Sequence, residues 1–300
     1  MRNKIKLLLM SLFIIINNGC SETVSTEKTE ERFSYVPPSV EEGKVKAVIE
    51  IGSSGFNLFV VSIDKDKNWK LEKAQWGKKS EIYESNVSIE KIESGIEDYL
   101  EEVKAYNTEE IYFLISSGAA KAKTTQDIVK VLKSKHSNVK VATAEEEAKY
   151  GFSAAVPKEF QKDSFLIDVG SGNSKFAWME NNELKTLEGY GSKAYKLSID
   201  KAKVYENIKN LSENIPKSVR KRAFFIGGIA YKFAKKNRID KEDYTTLPST
   251  TILKKDSFSK EKMQYGLEIY RAINDATDTG QYIFPWNANF SIGYLLSLPY

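Results

Sequence analysis

The chain is short of the side chains that do most metal and nucleophilic chemistry. Its 300 residues contain one cysteine, Cys20, and one histidine, His136. Zinc centres built from Cys and His need several such ligands and are excluded. A Ser-His-Asp triad would have to use His136, which lies in the polar run Lys133-Ser134-Lys135-His136-Ser137-Asn138. That context reads as an exposed loop histidine rather than a base held in place. An excess of charge of one sign is also missing, with 45 Lys and Arg against 41 Asp and Glu. With 41% hydrophobic and 29% charged residues, the composition is that of an ordinary globular chain and argues against disorder or multiple membrane spans. Catalysis here has to rest on carboxylates, hydroxyls, backbone amides and a bound cation.

The N-terminus reads as a leader. Arg2, Lys4 and Lys6 precede the apolar run Leu7-Leu8-Leu9-Met10-Ser11-Leu12-Phe13-Ile14-Ile15-Ile16. This is a charged region before a hydrophobic one too short to span a bilayer as a mature helix, which fits a secretory signal over residues 1–19. The run ends Asn17-Asn18-Gly19-Cys20, and the placement of Cys20 resembles a bacterial lipoprotein signal, although Asn17 stands where such signals usually carry Leu. The expected product is exported and held at the membrane of the cell envelope by a lipid on Cys20. Removing residues 1–19 takes the formal charge from +4 to +1, so nothing in the charge points to nucleic acid. Residues 20–43 are polar and acidic with the pair Pro37-Pro38, and read as a flexible tether.

From Lys44 onward the periodicity is that of a folded α/β chain. Strands are expected over 45–51 and 56–63, joined by Gly52-Ser53-Ser54-Gly55, with a third within 69–76. Ile89, Ile92, Ile96, Tyr99, Leu100 and Val103 fall at helical spacing behind Ser88 as N-cap. A strand over 111–115, a helix including 128–132, a strand over 139–142 and a helix over 145–155 follow. The order then restarts with a strand over 165–169, the turn Gly170-Ser171-Gly172-Asn173 and a returning strand over 175–179. Residues 198–215 read as helix, 223–226 as strand, Gly227-Gly228 as a helix start, and 260–276 as a long helix. Ile49-Glu50-Ile51-Gly52-Ser53 and Ile167-Asp168-Val169-Gly170-Ser171 match at an offset of 118 residues. Such self-similarity predicts two α/β domains, 44–157 and 158–300, facing each other across a cleft. About two domains also agrees with the chain length at roughly 150 residues each.

Each hairpin puts a carboxylate, Glu50 or Asp168, at the end of a strand just before a turn of small residues. Such turns let backbone N–H groups approach a phosphate. Ser53, Ser54, Asn57, Ser171 and Asn173 would add side-chain donors, and the two acids would hold Mg²⁺.

The motifs together resemble the exopolyphosphatase / guanosine pentaphosphate phosphatase family of the actin-like ATPase superfamily. Five segments carry the resemblance: Val48-Ile49-Glu50-Ile51-Gly52-Ser53-Ser54-Gly55-Phe56-Asn57; Phe113-Leu114-Ile115-Ser116-Ser117-Gly118-Ala119-Ala120; Thr143-Ala144-Glu145-Glu146-Glu147-Ala148; Asp168-Val169-Gly170-Ser171-Gly172-Asn173; and Phe224-Phe225-Ile226-Gly227-Gly228. The resemblance implies two RNase H-like domains with mixed sheets flanked by helices. It implies Mg²⁺-assisted hydrolysis of a terminal phosphoanhydride of polyphosphate or a guanosine polyphosphate, with Glu147 as general base. Gly52, Ser53, Ser54, Gly55, Asn57, Ser116, Ser117, Gly170, Ser171, Gly172, Asn173, Gly227 and Gly228 would hold phosphates, and Glu50 and Asp168 the metal. Glu145 and Glu146 read as dipole partners in an acidic first helical turn. Three positions depart from the family pattern: Glu50 replaces an Asp, Ala120 an Arg, and Lys175 an acid. These departures motivate an alternative, a catalytically inactive phosphate-binding or scaffold lipoprotein. A homodimer stays open, and the basic positions Arg220, Lys221, Arg222, Lys232, Lys235, Lys236 and Arg238 read as a solvated face.

Overall fold

The computed structural model describes residues 32–52, 55–77, 89–108, 110–121, 123–253 and 258–300. The expected signal, Cys20, the expected N-cap Ser88 and the turn residues Ser53 and Ser54 lie outside this set.

Two sheets form the frame. The first comprises β1 (Lys44–Gly52), β2 (Gly55–Ile63), β3 (Trp69–Trp76), β4 (Glu110–Ile115) and β5 (Val139–Val141), in the order β3-β2-β1-β4-β5. β1, β2 and β3 make an antiparallel meander, and β4 and β5 extend β1 in parallel. The second comprises β6 (Ser164–Val169), β7 (Asn173–Glu180), β8 (Glu183–Tyr190), β9 (Arg222–Ile226), β10 (Tyr244–Thr246) and β11 (Gln281–Pro285), in the order β10-β11-β9-β6-β7-β8. It repeats the plan, with a β6-β7-β8 meander continued by parallel β9 and β11 and closed by antiparallel β10. The repeat read from the sequence is therefore a repeat of topology.

Strand alternation decides which way the acids face. In β1, Ala47, Ile49 and Ile51 join a core under α1 (Ile89–Val103) and α3 (Lys123–Lys135). Val48 faces the other way and packs with residues of α8 (Phe290–Ser297). Glu50 has the parity of Val48, so it is directed to the α8 side. In β6, Phe165, Ile167 and Val169 join a core with α5 (Lys201–Ser212), α6 (Gly228–Ala234) and α7 (Glu261–Thr277). Leu166 instead packs with Ala148, Phe152 and Ala155 of α4 (Ala144–Ala155), and Asp168 shares its face. α4 and α8 lie against each other between the sheets. A Cβ added at Gly293 of α8 would fall 1.8 Å from the Tyr150 carbonyl oxygen of α4, so only glycine permits this approach.

Several expectations need correction. α8 packs on the first sheet, so a single cut that assigns everything after residue 157 to the second half does not describe it. β8, β10, β11 and α8 carry no clear signal in the sequence, because their apolar residues form short runs with weak periodicity. The helix expected over 198–215 is shorter, since Ser198 adopts a left-handed φ of 57° and Asp200 caps α5. Residues 32–43 are not a free tether. The Phe33 ring packs edge-on against Phe160, Phe224 and Tyr244 at 5.3–5.6 Å, and its N–H donates to Thr246 Oγ1 at 2.8 Å. Arg32 pairs with Glu242 at 2.9 Å. Further on, Glu41 N–H reaches Asp64 and the Tyr300 hydroxyl donates to the Glu42 carbonyl, so the segment straps both halves. The buried Phe33 and the half-buried Tyr35 beside it outweigh a polar average composition. His136 is half-buried rather than exposed, with its ring 4.4 Å from that of Phe113, and burial pushes its pKa down.

Candidate active site

Between the sheets lies a cleft of about 600 Å³. It is lined by Glu50, Gly52, Gly55 and Asn57 of the first hairpin and by Asp168, Gly170, Ser171, Gly172, Asn173 and Lys175 of the second. Ser116, Glu147, Gly227 and Gly228, also expected at the site, line it as well. Ser117 is not on the wall. A larger cavity of about 710 Å³ lies under the strap and contains none of the expected site residues.

Glu147 is 1% exposed, and its helix explains why it differs from its neighbours. Thr143 and Glu146 form a reciprocal capping box at the start of α4. Glu146 also pairs with Lys140 at 2.6 Å, and Glu145 with Lys149 at 2.6 Å. Both therefore serve the helix start and the surface, while Glu147 turns inward. Its Oε1 accepts the Ser117 N–H, and its Oε2 accepts the Ser117 hydroxyl at 3.1 Å and the Lys175 ammonium at 2.7 Å. The expected phosphate ligand Ser117 is thus a positioning residue for Glu147. The Ser116 hydroxyl caps the short helix α2 (Ser117–Ala120) by accepting from Ala119 N–H.

Lys175, 4% exposed, is the cross-strand neighbour of Asp168. Its Nζ lies 2.9 Å from Asp168 Oδ2 and 5.6 Å from the centre of the Phe290 ring. Burial lowers the pKa of this ammonium, but the charges of Asp168 and Glu147 more than offset that, and the net displacement is upward. At the repeat-related position of the first hairpin stands Asn57, the cross-strand neighbour of Glu50. Glu50 accepts from Ser291 Oγ at 3.0 Å. Burial pushes its carboxyl up to about 7, against the lowering effect of hydrogen bonds from Asn57 and Ser291, with Glu147 and Asp168 adding to the rise. At the rim, burial and then Lys193 lower the pKa of Lys262.

Backbone shape matters most at two corners. Gly227 has φ +99°, and a Cβ there would come within 2.7 Å of the Val169 carbonyl and 3.3 Å of Asp168 Oδ1. A Cβ on Gly191 would meet Asn173 N at 2.5 Å. That contact lets Ser192 brace the turn through the Gly170 carbonyl, which accepts from its hydroxyl at 2.9 Å.

Mg²⁺ prefers octahedral oxygen coordination at roughly 2.0–2.1 Å. Here Asp168 and Glu147 share one ammonium, and Glu50 is turned to Ser291 and Asn57. Among the described residues, no group of three His, Cys, Asp or Glu side chains is placed to hold a metal ion. The donor set does not fit a divalent cation. Sequence reasoning singled out Lys175 as a departure but missed its two partners, and it missed Ser291 altogether. Spacing alone carries no signal for a hydrogen bond across 241 residues. Of the basic positions, Lys221, Lys232, Lys235 and Lys236 are exposed, whereas Arg220, Arg222 and Arg238 are half-buried rather than solvated: Arg222 pairs with Asp163 at 2.9 Å, and Arg238 stacks on Trp286 at 3.8 Å.

No protein-family model and no curated protein matches the sequence. Solved structures do match the fold. A member of the Ppx/GppA protein family from Aquifex aeolicus aligns with 85% of this chain and 97% of its own, at TM-score 0.64 and 16% identity. An exopolyphosphatase from Cytophaga hutchinsonii aligns over 84% and 96%, at TM-score 0.65 and 14% identity. An exopolyphosphatase-like protein aligns over 85% and 98%, at TM-score 0.63 and 12% identity. The chain therefore shares the fold of these proteins, two mixed α/β halves around a cleft.

Proposed function

We propose that this chain binds a chain of phosphates across the cleft and hydrolyses its terminal phosphoanhydride, with inorganic polyphosphate or a guanosine polyphosphate as substrate. The observation that carries the reading is convergence: two glycine corners from opposite sheets and the buried Glu147 open onto one cavity. A carboxylate has about four acceptor positions, and among the described residues three of those on Glu147 are taken. The remaining lone pair on Oε1 accepts a proton from water. Water attacks the terminal phosphorus, its proton passes to Glu147, and the bond from phosphorus to the bridging oxygen breaks. Orthophosphate leaves together with a chain one phosphate shorter. Amides of the corners and the Lys175 ammonium face the charge that develops.

The ion pair between Lys175 and Glu147 favours a second reading, in which the cleft holds phosphates without turnover. Phosphate release from polyphosphate and guanosine pentaphosphate, compared between the wild type and Glu147→Gln, separates the two. Loss of a general base is expected to slow release by about 10²–10⁴-fold. Phosphate binding with no release above the variant would establish the second reading.

We further infer export and lipid anchoring at Cys20 from the leader sequence. No helix among the described residues is long and apolar enough to cross a membrane. Incorporation of labelled palmitate that Cys20→Ala abolishes is the expected result, and an unlabelled wild type would refute it.

A further inference from the structure

We propose that the Lys175 ammonium stands in this cleft where a divalent cation would bridge Asp168 and Glu147, so that the site takes phosphate chains without a metal. The inference rests on the phosphate-chain reading for its ligand and on separate geometry for its cation. Lys175 Nζ donates a charge-assisted hydrogen bond to Glu147 Oε2 at 2.7 Å and forms an ion pair with Asp168 Oδ2 at 2.9 Å, where that buried oxygen has no hydrogen-bond partner among the described residues. The two carboxylates come from different elements, Glu147 from α4 and Asp168 from the end of β6. One centre that touches both oxygens leaves no position between them for an ion with its own oxygen shell.

The ammonium is fixed there by its surroundings. Lys175 is the register partner of Asp168 in the β6–β7 hairpin, so its Cα is set by the ladder and its side chain shares the face of the acid. The Phe290 ring lies against its charged end, and the residue is almost fully buried. The third acid, Glu50, is bonded to neutral partners. Its Oε2 is occupied by Ser291, and Asn57 bonds it from the neighbouring strand. The asymmetry of the repeat has the same sense: the second hairpin carries the cation, and the first carries a neutral amide at the equivalent place. A buried pair of carboxylates without a counterion would be strongly unfavourable, so a cation is obligatory at this point, and the chain supplies its own.

Two measurements test this directly. In the first, Mn²⁺ is titrated into the wild type and Lys175→Asp, with bound ion followed by electron paramagnetic resonance. The wild type is expected to take up no stoichiometric Mn²⁺, and Lys175→Asp to take up one ion. In the second, tripolyphosphate binding is measured by calorimetry in excess Mg²⁺ and in EDTA. Wild-type affinity is expected to agree within about twofold between the two conditions, while Lys175→Asp loses about 10²-fold in EDTA, as removal of a buried charged partner does, and recovers with Mg²⁺. Wild-type uptake of Mn²⁺ that Asp168→Asn abolishes would overturn the proposal, as would a tenfold loss of wild-type affinity in EDTA. Should Lys175→Asp not fold, the two wild-type measurements decide alone. Should tripolyphosphate bind in neither condition, the phosphate-chain reading fails, and the Mn²⁺ titration still decides the role of Lys175.

Discussion

Replacing Glu50 with Gln isolates the energetic consequence of burying an acid between the halves. Gln keeps an oxygen to accept from Ser291 and removes the ionisation. In the folded chain the Glu50 carboxyl titrates at about 7 against an ordinary 4.5, with burial as the main cause. Below 4.5 the group is neutral in both states and contributes nothing. As pH rises, the unfolded chain ionises first, so the folded state holds the extra proton and stability falls until the folded group ionises as well. Linkage puts the change between about pH 5 and pH 8 at roughly 2.5 kcal/mol. Urea denaturation of the wild type and Glu50→Gln at both pH values measures it, because all other titrating groups cancel in the difference. Glu50→Gln is expected to gain about 2.5 kcal/mol on the wild type over this interval. A difference that does not change with pH would refute the claim that Glu50 is buried as an acid without a cation.

The strap and the helix contact offer further tests. Phe33→Ala removes a ring enclosed by Phe160, Phe224 and Tyr244 and is expected to cost about 3 kcal/mol of unfolding free energy in urea. A cost below about 0.5 kcal/mol, usual for a surface position, would mean that residues 32–43 are not docked. Gly293→Ala places a methyl group 1.8 Å from the Tyr150 carbonyl oxygen, so α4 and α8 have to separate. The expected cost is about 1–3 kcal/mol or more. Because Glu147 and Ser291 ride on those two helices, tripolyphosphate affinity should fall with it; full stability and unchanged binding would contradict the packing described.

Much of the site is legible in the sequence. The offset between Glu50 and Asp168 identified two equivalent hairpins, and the glycine corners beside them do line one cavity. Glu145 and Glu146 serve the surface and the cap, while Glu147 is buried at the cleft. Composition misleads where it averages over a few decisive side chains. Phe33 and Tyr35 dock a segment whose other residues look like linker, and Ser117 carries the hydroxyl of a phosphate ligand yet is turned to Glu147.

Local order, strand parity and the doubling of the fold follow from residue spacing, because each depends on neighbours a few positions apart. The charge state of the cleft does not. Lys175 meets Glu147 only after α4 lies on the second sheet, and Ser291 reaches Glu50 only after α8 returns to the first. Those encounters depend on which faces pack in three dimensions, and they determine whether an acid in this cleft meets an ammonium, a hydroxyl or a metal ion.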